Sequence, residues 1–361
     1  MIFSKGKRDY SKYDFVTNNK KIEIVEKYKY LGITFFFNGN LKHAAEDLYN
    51  KALKAFFSLK SKFNNFCDIP IKTSLKIFDS IVRPIVTYNS EIWLSDYNIN
   101  LLNFDTLPME KLHHKMLKNI LGISRQASNL ASRTECNRNP VIIFALTQMF
   151  KYYLRLKNLD NQRILHSAYT TDQDLYDNNS VCWFSTLDKI CKKVNLDVSQ
   201  CTNIELFKSN VTEFCLTQTS KHLQRIKDGK IESKLEVYSK ISSIGEVPFY
   251  LKTPFPKEVR SKITKLRISD HRLNIERGRY SRPKTPRENR LCKFCPLVET
   301  EAHFLLTCKK YELLRKKYLR ITDYEIYNNI EDSLCTLLNP KTMGECNNLY
   351  KYIRDALNLR D

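Results

Sequence analysis

Residues 290–308 read Arg-Leu-Cys-Lys-Phe-Cys-Pro-Leu-Val-Glu-Thr-Glu-Ala-His-Phe-Leu-Leu-Thr-Cys, which places Cys292, Cys295, His303 and Cys308 at the spacing C-x₂-C-x₇-H-x₄-C. Two thiolates two residues apart can turn back on one ion, and a later His and Cys complete a tetrahedron. A Cys₃His set with no spare ligand position is the arrangement of a closed structural zinc site. The rival reading of Cys-x-x-Cys, a redox pair, expects a βαβ context. Here the flanks are Arg290, the acidic turn from Glu299 to Glu301 and an apolar helical stretch. The expectation is a structural Zn²⁺ that serves folding and binding, not catalysis.

Charge accumulates just before this cluster. From Lys257 to Lys293 there are 13 Lys/Arg against 4 Asp/Glu, a local net of +9. Between those two lysines lie Arg260, Lys262, Lys265, Arg267, Arg272, Arg277, Arg279, Arg282, Lys284, Arg287 and Arg290, with His271 and Tyr280 interleaved and Phe294 just beyond. Arginine grips phosphates, and aromatic rings stack on unpaired bases. A charge run is more often only a solvated face, but the adjacent cluster tips the reading toward nucleic-acid contact. The whole chain agrees: 361 residues carry 60 Lys/Arg and 39 Asp/Glu, a net of +21. A surplus of that size favours a polyanionic partner, because basic surface gains affinity by releasing counterions from phosphates.

Eight further cysteines, at 67, 136, 182, 191, 201, 215, 335 and 346, are scattered without tight spacing. They read as reduced, mostly buried thiols. Met1-Ile2-Phe3-Ser4-Lys5 runs straight into charge, so no secretory leader is expected. No stretch approaches the roughly 20 apolar residues of a membrane span. These features point to an intracellular protein of the cytoplasm and/or nucleus, with no membrane partner.

Residues 21–37 alternate β-formers with polar residues through Ile22, Ile24, Tyr28, Tyr30, Ile33 and Phe35. The pattern predicts a hairpin turning near Lys27, with Gly32 a bulge inside the second strand and Asn38-Gly39-Asn40 ending it. A helix should follow, its stripe running Leu41, Ala45, Leu48, Ala52, Phe56, Leu59 and Phe63. Its opposite face carries Lys42, Lys51, Lys54, Lys60 and Lys62. More helices are expected over 70–94, 104–121 and 139–160, with Pro84 interrupting the first and Gly122 stopping the second. His113 and His114 are adjacent, so they leave a helix on different sides and cannot share a metal. Residues 166–255 are poorer in pattern and read as a connector of short helices. Helices are expected again over 311–318 and 349–357. There is no Gly-rich phosphate loop, no Gly-x-Ser-x-Gly elbow and no Asp-Asp pair. Two-metal nucleotidyl transfer needs clustered carboxylates, so no catalytic residue is assigned and no enzyme activity is expected of this chain alone.

Three stretches together carry a resemblance. Tyr28-Lys29-Tyr30-Leu31-Gly32-Ile33 resembles the primer-grip hairpin of non-LTR (LINE-type) retrotransposon reverse transcriptases. Arg83-Pro84-Ile85-Val86-Thr87-Tyr88-Asn89-Ser90-Glu91-Ile92-Trp93 is similar to their thumb segment, which usually has Gly where this chain has Asn89. Gly278-Arg279-Tyr280, followed by the Cys/His cluster with Tyr311 and Arg315 behind it, looks like their terminal zinc knuckle. The resemblance implies the C-terminal part of such an enzyme, without the palm aspartates.

The expected architecture is accordingly mainly α in four segments. Residues 1–37 would be a β-hairpin remnant of a palm edge, and 38–165 a helical thumb-like bundle. A helical connector would occupy 166–255, and a basic segment with a small zinc-stabilised C-terminal module 256–361. The implied function is RNA or template–primer handling, with RNA and/or DNA as partners. Tyr30, Leu31 and Gly32 would approach a primer end if a palm-containing reverse transcriptase were supplied in trans. The competing reading is a domesticated fragment acting as a zinc-dependent protein-interaction module.

Overall fold

Amphipathic stripes dominate this sequence, and the fold that results is mainly helical, with two small antiparallel ribbons. The computed structural model describes residues 1–4, 13–66, 69–320 and 329–360. Their contacts group into two units, 1–57 with 79–112 and 140–215, and 58–78 with 113–139 and 216–361.

The first unit opens with the ribbons. Strands β1 (Val16–Thr17) and β2 (Lys20–Lys21) pair across Asn18-Asn19, and β3 (Lys27–Tyr30) and β4 (Ile33–Phe36) pair across Leu31-Gly32. A two-residue loop of the twisted kind needs positive φ at both central positions. Leu31 has φ +46° and Gly32 φ +88°. The hairpin therefore turns at Leu31-Gly32 and not near Lys27, and Gly32 makes the turn instead of bulging a strand. Turn chemistry outweighed the alternation of apolar residues, which extends past the turn on both sides.

The helix Lys42–Lys62 buries Ala44, Ala45, Leu48, Ala52 and Phe56. Leu59 is half-buried, and Phe63 is exposed. The centre of this unit is the helix Val141–Lys157, which packs on the short helix Ser90–Trp93 with Trp93 buried. Phe150 stacks on Phe207 at 4.3 Å, and Trp183 Nε1 donates to the Glu91 carbonyl at 2.7 Å. Around Pro84 the expected helix does break: a wide π turn at Phe78–Val82 precedes the short helix Arg83–Val86. Proline has no N–H for the regular ladder.

The stretch 166–255 holds more helix than its pattern predicts. Alongside Ile164–Asp177, Trp183–Lys193, Glu236–Ile241 and Phe249–Lys252 runs Ile204–Lys227, which is 24 residues long and corrects the expectation of short helices only. Its buried residues are Phe207, Val211 and Cys215, then Leu223 and Ile226, separated by the polar run Thr217 to Lys221. That gap in the stripe hides the helix from a periodicity reading.

In the second unit, the helix Lys257–Arg267 packs against Met343–Arg360, burying Val259, Ile263 and Leu266 with Leu349, Tyr352, Ile353 and Ala356. The last helix is longer than expected, and Ile330–Leu338 was not anticipated. Glu135 sits in the middle of this core. It accepts from Arg267 Nε at 2.6 Å and from the Tyr250 hydroxyl, while Arg267 also donates to the Leu338 carbonyl and to Asn339 Oδ1 at 2.6 Å. Breaking one partner out of so buried a pair costs about 3–5 kcal/mol. Among the described residues no helix is long and apolar enough to cross a membrane.

Candidate metal centre and the basic loop beside it

The Cys/His cluster forms on a tight backbone turn. Leu291 and Val298 make an antiparallel bridge, Cys292 N donates to the Leu297 carbonyl at 2.7 Å, and Glu299 N donates to the Arg290 carbonyl at 2.9 Å. Inside the turn, Phe294 N points at Cys292 Sγ at 3.5 Å. This folds Cys292 and Cys295 onto one side, while the wide helical turn His303–Thr307 and Cys308 close the other.

The four ligand atoms lie within 4.8 Å of one another. Cys295 Sγ is 3.1 Å from His303 Nε2, and Cys292 Sγ is 3.9 Å from Cys308 Sγ. Zinc–sulfur bonds of ~2.3 Å at a tetrahedral angle put two sulfurs ~3.8 Å apart. The cluster thus has the donor set and the size to hold a metal. His303 Nδ1 lies 3.2 Å from Thr307 Oγ1, so its other nitrogen is left to face the sulfurs. A partner of this kind fixes the ring orientation of a ligating histidine. Burial pushes the Cys308 thiol up to about 12 and raises Cys295, while burial also lowers the His303 pKa. Neutral histidine and the cysteine thiolate are the ligating forms.

The acidic turn is spent on the fold. Glu299 takes both Arg360 Nε at 2.7 Å and Nη2 at 2.8 Å, with both side chains fully buried. Glu301 accepts from Ser269 Oγ at 2.7 Å and lies 2.9 Å from His271 Nε2. The trailing helical residues anchor here too: Arg315 Nη2 donates to the Cys308 carbonyl at 2.9 Å, and the Tyr352 hydroxyl to the Phe304 carbonyl at 2.5 Å.

The eleven basic residues expected to contact nucleic acid divide by burial. Arg260, Arg267 and Arg290 are buried and drop out of that set, because their guanidinium groups are spent within the protein. Arg260 reaches the carbonyls of Phe66 and Ile69, both at 3.4 Å, and Arg267 holds Glu135. Arg290 donates to the Thr285 carbonyl through Nε and Nη2, and to the Ile275 carbonyl through Nη1 at 2.9 Å. Lys262, Lys265 and Arg279 are half-buried, Arg279 pairing with Glu276 at 2.7 Å. Arg272, Arg277, Arg282, Lys284 and Arg287 are exposed, as is the Tyr280 ring.

Gly278 explains how these exposed residues are held. A Cβ there would lie 2.6 Å from Arg290 Cγ and 2.7 Å from its Cδ, so the arginine can cross the helix Asn274–Tyr280 only at a glycine. From that crossing Arg290 suspends the loop 281–289, reinforced by Thr285 N donating to the Gly278 carbonyl at 3.1 Å. The basic side chains therefore project from a loop of defined shape.

Tyr30, Leu31 and Gly32 occupy the tip of the second ribbon, with Tyr30 59% and Leu31 73% exposed. The Tyr88 hydroxyl donates to the Leu31 carbonyl at 3.0 Å, and Lys51 Nζ to the Gly32 carbonyl at 3.2 Å. Two stretches 57 residues apart are brought together in this way. Asn89, which stands where the resemblance leads one to expect Gly, has φ +52°, a conformation asparagine tolerates better than other side chains.

Of the remaining cysteines, Cys136, Cys191, Cys201, Cys215 and Cys346 are buried and Cys182 and Cys335 half-buried, none of these seven in a disulfide; Cys67 lies outside the described residues. His114 meets Arg133 at 2.7 Å while His113 stacks on Phe78, so neither ring turns to a shared ligand.

Sequence reasoning passed over two features. Lys310 Nζ stands 5.2 Å over the Phe294 ring, adding the exposed Lys309-Lys310 pair to the metal turn. The Lys-Lys doublet directly after Cys308 was the available signal. Glu276 is the other, a buried carboxylate inside a basic run, and nothing in its sequence context marks it. No protein-family model, curated protein or solved structure matches this chain.

Proposed function

We propose that this chain is a nucleic-acid-binding protein of the LINE-type reverse transcriptase kind, corresponding to the non-catalytic C-terminal part, with a structural Zn²⁺ on Cys292, Cys295, His303 and Cys308. The observation that carries the reading is the loop 281–289. It projects Arg282 and Lys284 from a rigid suspension immediately before the metal turn, with Arg277 and Tyr280 at its base and Arg287 paired with Glu236 at 3.3 Å. Fixed cations spaced along a loop suit a phosphate backbone, and an exposed ring beside them suits an unpaired base. The contact between the ribbon tip and Tyr88 is further support, since it joins two of the three stretches on which the resemblance rests. The role is RNA or template–primer handling, with no polymerisation step assigned to these residues.

Binding to single-stranded RNA should weaken as salt rises, with a slope of log affinity on log salt of roughly −0.7 per phosphate contact. Changing Arg277, Arg282 and Lys284 together to Ala should flatten that slope by about two, measured by filter binding across a salt series. A triple variant that keeps the parent's slope and affinity would make these residues a solvated face.

One observation favours a second reading, protein interaction, and it lies on the ribbons of the first unit and not at the Cys/His cluster. Phe15, Val16, Ile22, Ile24, Tyr28, Tyr30 and Leu31 are all exposed on or beside the two ribbons. An apolar surface of that extent suits a protein partner, which on the first reading is a palm-containing reverse transcriptase in trans. Salt-insensitive association with such a chain, alongside absent RNA binding, is the result that would favour it.

A further inference from the structure

The second unit contains a cavity of about 830 Å³ at the base of the basic loop, in the size range of small-molecule sites. Arg277 and Tyr280, both exposed, belong to its wall, as does Asn289 of the loop itself. Another part of the wall comes from distant stretches of the chain: Ser124 and Gln126 of the loop 122–127, and Lys234. The cavity is thus lined by two loops, and the second is basic as well.

Loop 122–127 has a defined shape of its own. Gly122 turns it with φ +67°, and a Cβ there would lie 2.8 Å from Ser261 Cβ. The Ser261 hydroxyl donates to the Gly122 carbonyl at 2.7 Å. Both oxygens of Asp270 accept from Ser124, one from the backbone N–H at 2.7 Å and one from the hydroxyl. Two lysines from other elements dock on consecutive carbonyls. Lys118 Nζ donates to that of Arg125 at 2.9 Å, and Lys234 Nζ to that of Gln126 at 3.2 Å. The Arg125 side chain is exposed. Lys115, half-buried, stands one helical turn from Lys118. Its pKa is lowered, by burial first and then by the nearby charges of Arg125 and Lys60.

Cations from separate stretches of chain therefore converge on one short loop, where like charges repel. The carboxylate that meets this loop, Asp270, is engaged by Ser124. An ammonium carries three donors, so a carbonyl occupies only one of those on each docked lysine. A phosphate backbone relieves the repulsion and gains affinity by releasing its counterions. The concave shape selects the kind of strand. A flexible single strand can drop an unpaired base onto the exposed Tyr280 ring, whereas the bases of a duplex are already paired and stacked. We infer that an RNA single strand held by the loop 281–289 continues across this cavity onto the loop 122–127, with a base against Tyr280 and adjoining phosphates on Lys234 and Arg125. The inference rests on the nucleic-acid reading above and gives it a path and a length.

The test measures binding of the full chain to oligouridylates of about 4 to about 16 nucleotides, the usual span of single-strand sites, by fluorescence anisotropy across a salt series. Once the strand is long enough to reach the loop 122–127, the slope of log affinity on log salt should steepen by about 1.4, roughly 0.7 for each of two added phosphate contacts. Arg125→Ala with Lys234→Ala should abolish the steepening and weaken long strands about tenfold, while the shortest strands bind as they do to the parent. Arg125→Ala alone keeps the carbonyl on which Lys118 docks and should remove about half of the steepening, so the test stands even if the double variant fails to fold. Affinity and slope that stay level with length in the unaltered protein overturn the inference and leave the nucleic-acid reading intact. A steepening that both variants retain also overturns it, because the longer strand then runs elsewhere. So does a loss confined to a blunt RNA duplex of the same length. If no strand binds at any length, the inference and the nucleic-acid reading fail together.

Discussion

Gly278 is a residue whose smallness has a definable purpose. Adding one methyl there pushes against the middle of the Arg290 side chain, not its mobile end, and Arg290 cannot move without releasing the carbonyls of Thr285 and Ile275. Gly278→Ala should therefore destabilise the second unit by about 1–3 kcal/mol, the usual range for overpacking. It should also loosen 281–289, so limited trypsin treatment should cut after Lys284 and Arg287 faster than in the parent. An unchanged digestion pattern would mean that Arg290 does not suspend the loop. Glu276 allows a second test at this scale. Burial raises its pKa, against the lowering effect of Arg279 and His271 and with Glu301 adding to the rise. Between its unfolded and folded pKa values the folded chain holds the extra proton, so this carboxyl costs stability progressively as pH rises through that window. Glu276→Gln lacks the titration. Its stability relative to the parent should improve as pH rises from about 4, the range in which the unfolded carboxyl ionises, read as the shift in urea midpoint at each pH. A relative stability that falls over the same range would contradict the burial argument.

At the scale of elements, what the sequence disclosed depended on whether the signal was local. The C-x₂-C turn, the helix over 141–157 and the break near Pro84 were legible because each follows from spacing or from a missing N–H. The ribbon's turn at Leu31-Gly32 was misplaced, although Gly32 was in view, because alternating apolar residues on both sides obscured which pair had to adopt positive φ. The helix Ile204–Lys227 was lost because its buried stripe is interrupted, and a helix with tertiary support on both halves tolerates such a gap. Least legible were long-range pairs. Arg267 and Arg290 look like any surface arginine in a basic run, and partners far off or out of pattern take them inside: Glu135, Leu338 and Asn339 for the first, the Thr285 and Ile275 carbonyls for the second. Arg360 is a further case, reaching Glu299 across 61 residues and tying the last helix to the metal turn. Arg360→Ala should cost about 3–5 kcal/mol, because it strands a buried carboxylate. Adding Glu299→Gln should recover part of that loss. Chemical denaturation of the two single variants and the double variant measures the coupling, and simple additivity would show that the pair contributes nothing jointly.

Taken as a whole molecule, the chain joins a helical scaffold to a module whose own core is thin. Around the metal turn, Phe304, Leu305, Leu306 and Tyr311 are buried, but Phe294 and Leu297 are exposed and Leu291 is 42% exposed. The remaining order there comes from ion pairs and from the cluster itself. Three sulfurs and an imidazole nitrogen lie within 4.8 Å of one another, so a bound cation would tie Cys292 and Cys295 to His303 and Cys308 across the turn. Structural zinc in small modules is worth roughly 10–16 kcal/mol at neutral pH. Its removal should therefore open the turn and release the Arg290 suspension with it, because Arg290 lies two residues before the first ligand. The helices of the first unit, built around Val141–Lys157, have no such dependence. Chelation should thus give a partial loss of helical signal and a separate, earlier thermal transition and, on the proposed function, weaker RNA binding as the basic loop loses its shape. Cys295→Ser should reproduce these effects and lower the zinc content from one ion per chain. Full zinc occupancy in that variant, or a single unchanged transition after chelation, would remove the metal from the account and leave the basic loop to stand on Arg290 alone.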